Sequence, residues 1–178
     1  MVSKKSTQEK HTGDADHHHE TRHRGDCYAA LKKRYSLPDM RLLEQEFDLV
    51  HLDEEQYPIR EAIKKIADRL EWSCLFLESL MQPEHTAAFM EVEAFSEKQK
   101  KDILILYKRL MSNARACHLE LLSADEQGNA LFLNSFMKEW PSLKKQFYDL
   151  LKTAKDSWSS SQPHDFEAKL SGKQGYFG

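Results

Sequence analysis

Histidine is the first residue type in this chain that could do chemistry. Five of the nine histidines fall within the first 23 residues, at His11, His17, His18, His19 and His23. Neutral imidazole binds zinc, copper and nickel. His17, His18, His19 and His23 are therefore candidate ligands of a metal-chelating tail. No Cys/His spacing of the zinc-finger type accompanies them. A solvated polar run with incidental metal affinity is the simpler reading, and no dedicated metal site is assigned.

Carboxylates are the next candidates. A helical bundle that holds two iron atoms needs inward glutamates and Glu-x-x-His pairs on two helices. The only such spacing here is Glu20–His23, in the polar N-terminal stretch. His51, His85 and His118 each lack a glutamate three residues before them. Glu78 is the lone charge in the apolar run 72–81. Buried, it would be a general acid or a ligand, but no partner carboxylate, His or Cys stands at a recognisable spacing. It reads as a group that reaches the rim of the core or pairs with a cation. Cys74 and Cys117 fall on apolar stripes and read as small buried hydrophobes. There is no glycine-rich phosphate loop and no Gly-x-Ser-x-Gly elbow. The expectation is a non-enzymatic protein without a cofactor.

Charge distribution says more. A total of 26 Lys+Arg against 29 Asp+Glu gives a formal charge of -3, which excludes a generally basic nucleic-acid binder. That sum hides two opposed segments. Residues 96–122 hold six basic and three acidic side chains, with Lys101, Lys108 and Arg115 at seven-residue intervals and Arg109 beside them. Residues 39–57 carry Asp39, Glu44, Glu46, Asp48, Asp53, Glu54 and Glu55 against Arg41 alone. Partner-binding candidates are accordingly Lys101, Lys108, Arg109 and Arg115 on the basic side. Glu44, Glu46, Glu54 and Glu55 are their acidic counterparts. An acidic protein partner or nucleic-acid phosphates would suit the basic ridge, although no aromatics interleave with it as stacking platforms would.

The elements that must position these groups follow from glycine and proline. Between residues 27 and 158 the only glycine is Gly128. A β-rich domain of that length needs many tight turns at positive φ, so the segment is all-α. Pro38, Pro58, Pro83 and Pro141 punctuate it, since proline suits a helix's first turn or the residues just past its end. The spacing predicts a helix over 27–35 capped by Asp26, then a short one capped by Asp39 with Met40, Leu43 and Phe47 on one face. A long helix over 58–82 carries Ile59, Ile63, Ile66, Leu70 and Leu77, and the apolar run at its end places it centrally. Residues 83–95 read as a connector. Ser96 and Gln99 form a capping box for a helix over 96–122 whose seam is Ile103, Tyr107, Leu110, Ala114, Cys117 and Leu121. Asp125 caps a fifth helix carrying Leu131, Leu133, Phe136, Met137 and Trp140. Pro141 separates it from a sixth with Leu143, Phe147, Leu150, Leu151, Ala154 and Trp158.

These elements make an antiparallel bundle of five to six helices over 27–158, with disordered tails at 1–26 and 159–178. No apolar run is long enough for a signal sequence or a membrane span. The three cysteines are widely spaced and odd in number, which reads as reduced thiols in a cytoplasmic protein. The functional expectation is a small protein-interaction module or assembly factor. The alternatives are a nucleic-acid- or ribosome-associated protein using the basic face of 96–122, and a metal-binding bundle.

Overall fold

Apolar side chains at alternating three- and four-residue intervals can be buried only if the helices that carry them face one another. The computed structural model of the chain does this in an all-α bundle, and it describes residues 24–52, 55–84, 86–123 and 125–160. Six helices are seen among the described residues: α1 (Arg24–Tyr35), α2 (Met40–Phe47), α3 (Pro58–Met81), α4 (Thr86–Glu93), α5 (Glu97–Leu122) and α6 (Glu126–Ser160). The tails at 1–23 and 161–178, with His17, His18, His19 and His23, lie outside the described residues, as does Glu54.

α3 and α5 form the principal antiparallel pair, and α3 touches each of the other five helices. Ile59, Ile63, Ile66, Leu70 and Leu77 of α3 are buried against Ile103, Leu106, Leu110, Ala114 and Cys117 of α5. α6 returns alongside both, with Leu133, Phe136, Leu143, Leu150 and Ala154 in the core. Phe136, Trp140 and Phe47 form a tilted aromatic cluster that fastens α2 to the middle of α6. The Tyr28 hydroxyl donates to the Pro38 carbonyl at 2.9 Å, closing the α1–α2 corner. Burial, followed by the nearby Asp39 carboxylate, pushes this phenol well above its usual range.

The caps follow the sequence closely. Asp39 accepts from the Arg41 N–H, Ser96 and Gln99 form the reciprocal box, and Asp125 accepts from the N–H groups of Gln127 and Gly128. The helix ends use unexpected residues. Ser36 and Asp48, at φ 55° and 52°, close α1 and α2 in the left-handed region, without glycine.

Four expectations are corrected. α1 begins at Arg24, so Asp26 lies within it and does not cap it. Residues 83–95 are no simple connector, because 86–93 form α4, which packs on α3 and α6. A helix this short gains little from local propensity, and α4 is held by Ala88 within it and Phe95 just past its end, both buried. The break at Pro141 is absent: α6 runs through it as one 35-residue helix. A proline inside a helix removes one hydrogen bond and crowds the preceding turn. Here its ring faces solvent while Trp140 and Leu143 on either side are buried. Packing on both flanks outweighs the local penalty. Finally, Leu131 is exposed on α6, and Trp72 and Leu75 are exposed on α3, so the apolar run of α3 is not enclosed on every side.

Candidate functional site

The outer surface of α5, opposite its buried seam, is the most distinctive face of the molecule. At 100° per residue, Lys101, Leu104, Ile105, Lys108, Ser112, Arg115, Leu119 and Leu122 fall within a stripe about 100° wide. All eight are exposed. The four aliphatic side chains are open to solvent by 45%, 56%, 67% and 86% for Leu104, Ile105, Leu119 and Leu122. Three cations interleave with them. Large aliphatic groups in line along one helix are unlike a solvated charge ridge, which has no reason to carry them.

The sequence-derived candidates separate when placed on the fold. Lys101, Lys108 and Arg115 share the stripe. Arg109 does not. It turns toward α6, where its guanidinium donates to Glu139 at 2.7 Å, beside Asn113. Arg115 approaches Nδ1 of His118 at 3.5 Å, and Nε2 of the same ring lies 3.3 Å from Glu71 of α3. Glu46 is likewise engaged within the fold. It accepts from the indole N–H of Trp140 at 2.8 Å and pairs with Lys144 at 2.6 Å. Burial works against ionisation of Glu46, but the hydrogen bonds from Lys144 and Trp140 outweigh it and hold the carboxyl below its usual range. Glu44 is half-buried and Glu55 exposed. The acidic candidates thus divide between a fold contact and free surface.

The sequence treated the ridge of α5 as basic alone and overlooked its aliphatic members. The signal was present, since Leu104, Ile105, Leu119 and Leu122 share the phase of Lys101, Lys108 and Arg115. No protein-family model, curated protein or solved structure matches the chain.

Other chemistries find less to build on. Among the described residues, no group of three or more His, Cys, Asp or Glu side chains is placed to hold a metal ion. No described helix is long and apolar enough to cross a membrane. Cys74 and Cys117 are free and buried. Burial, reinforced by Glu71 and Glu78, raises the Cys74 thiol to about 11. Burial, with Glu120 and Glu71 adding to it, raises Cys117 to about 12. Thiols held protonated in this way are poor nucleophiles. Glu78 is exposed, at the rim of the core.

Proposed function

We propose that the protein is a non-enzymatic interaction module of the cytoplasm that docks an acidic, amphipathic helix of a partner protein along the outer face of α5. The observation that carries this reading is the exposed alignment of Leu104, Ile105, Leu119 and Leu122 with Lys101, Lys108 and Arg115. A helix laid along such a stripe anchors itself by apolar side chains at i, i+3, i+4 and i+7. The three cations select acidic flanks and speed the encounter more than they add affinity. A second copy of the same face would bring like charges together, which disfavours self-pairing through it. Nucleic acid is a poorer match, because aliphatic groups neither stack on bases nor contact phosphates.

The test is photo-crosslinking in native cells, with a crosslinking residue placed at position 105 or 119 of the full chain and, as a control, at position 55. The expected product is a nuclease-resistant adduct from 105 and 119, not from 55, joined to an acidic amphipathic peptide. It should disappear when Lys101, Lys108 and Arg115 are all changed to Glu. An adduct that nuclease removes would favour the nucleic-acid alternative, an adduct from 105 and 119 that survives charge reversal would overturn the selection of an acidic partner, and no adduct from either position would place the docking surface elsewhere.

A further inference from the structure

α5 and α6 run antiparallel, and a groove lies between them that neither helix makes alone. Toward the start of α5 it opens to about 480 Å³, lined by Lys98, Ile105 and Leu106 of α5 and by Gln146, Leu150 and Thr153 of α6. We propose that this groove seats a partner helix with carboxylates on both flanks of its apolar seam, one flank for α5 and the other for α6. This rests on the docking face of α5 argued above and extends it to a second helix.

The register of the two helices carries the inference. Arg109 donates to Glu139 at 2.7 Å, and Ile105 and Leu106 share the groove with Gln146 and Leu150. In that alignment Lys101 stands level with Lys152, Lys108 with Lys145, and Arg115 with Lys138. All six are exposed. At 100° per residue, Lys138, Lys145 and Lys152 fall within about 40° of one another. They crest α6 as Lys101, Lys108 and Arg115 crest α5. The groove therefore runs between two basic crests matched at three levels, each about 10.5 Å from the next. In a packed helix the e and g positions flank the seam, and their charges choose the partner. Basic crests on both sides call for acidic residues at both positions, repeated by heptads.

The apolar anchors keep the same register. Leu119 of α5 stands level with Leu131 of α6, and both are exposed. Two heptads away, Ile105 is exposed at the other end. Ser112 and Ser142 occupy the level between. A matching seam is thus aliphatic at its two ends and small in its middle. Two carboxylates along the groove are already engaged, Glu139 with Arg109 and Asp149 with Lys145 at 2.6 Å. Asp102 lines it beside Lys98, so cations outnumber anions along its length.

The probe is a fluorescent synthetic peptide of three heptads. It has leucine at a and d of the outer heptads, alanine at those of the central one, and glutamate at e and g throughout. Its own like charges keep it from self-pairing. Titrated into the full-length protein and read by anisotropy, it is expected to bind, whereas the peptide with lysine at e and g is not. Changing Lys138, Lys145 and Lys152 together to Glu should weaken binding about tenfold or more, because three exposed pairs, each worth little alone, become repulsive. Reversal of Lys101, Lys108 and Arg115 should weaken it as much. Leu131→Ser alters no charge and should weaken it at least about threefold. Binding that falls with the α5 reversal alone would leave the α5 face standing and overturn the shared groove. No binding, or binding indifferent to both reversals, would also overturn it, while the crosslinks from 105 and 119 decide the α5 face separately.

Discussion

The guanidinium of Arg60, on the first turn of α3, donates from Nη2 to the carbonyl oxygen of Leu121 at 2.6 Å, in the last turn of α5. Its Nη1 reaches the Ser123 carbonyl at 2.7 Å. The last carbonyls of a helix have no partner within it and carry the negative end of its dipole. One side chain therefore caps α5 and fixes the register of the antiparallel pair that forms the centre of the bundle.

Arg60→Met keeps the apolar stem and removes both donors. It is expected to lower stability by about 1.5–3 kcal/mol, the range for hydrogen bonds from a charged group. Arg60→Lys, which offers a point charge in place of a fork, should recover only part of that. Urea unfolding at pH 7 measures both. Equal midpoints for all three proteins would mean that water serves these carbonyls as well as Arg60 does.

Glu46 gives the fold a pH dependence whose sign is fixed by its partners. Burial opposes its ionisation, yet Lys144 and the indole of Trp140 hold its carboxyl below the usual range. A carboxyl lowered in the folded state stabilises above its unfolded value, about 4.3, and loses that contribution as pH falls through the folded value. Glu46→Gln is therefore expected to lower stability near pH 7 by about 0.5–1 kcal/mol, a modest figure because Lys144 is exposed and screened. The gap should close as the pH drops below the ordinary carboxylate range. A gap of the same size at pH 3 as at pH 7 would assign the loss to altered packing around Trp140.

Much of the fold could be read from particular residues. One glycine in 132 residues forced helices, and Asp39, Ser96, Gln99 and Asp125 marked three helix starts through local chemistry that tertiary context did not alter. The seam of α5 was legible because its period is long and regular. What escaped was decided by packing between distant segments. Pro141 carries a helix-breaking signal, and only the burial of Trp140 and Leu143 against the rest of the bundle overrides it. Leu131, Trp72 and Leu75 carry a core signal, yet the neighbouring helices leave them in solvent. The same limit applied to function. Arg109 resembles Lys108 in sequence, and only the approach of Glu139 from α6 takes it out of the exposed face.

The thiols offer a direct probe of core opening. Cys74 and Cys117 stay protonated far above the ordinary thiol range because burial disfavours the thiolate. In a Cys27→Ser background, both are expected to react with a disulfide reagent at pH 8 only as fast as the bundle opens, with rates that rise in step with urea. Immediate labelling of either thiol in native buffer would show that the interface between α3 and α5 admits solvent.

Pro141 tests whether packing or local propensity governs the long helix. Within α6 it removes one backbone hydrogen bond and crowds the turn before it, a penalty of about 3 kcal/mol in an unsupported helix interior. Proline also restricts the unfolded chain, which returns about 0.4–1 kcal/mol of stability to the folded state. Because its ring is exposed, Pro141→Ala disturbs no core contact. The net expectation is a gain of about 2–2.5 kcal/mol at most, read as a higher urea midpoint with an unchanged slope. A fall in stability would mean that the two halves of α6 depend on proline at this position for Trp140 to reach Glu46 while Leu150 and Ala154 reach the core.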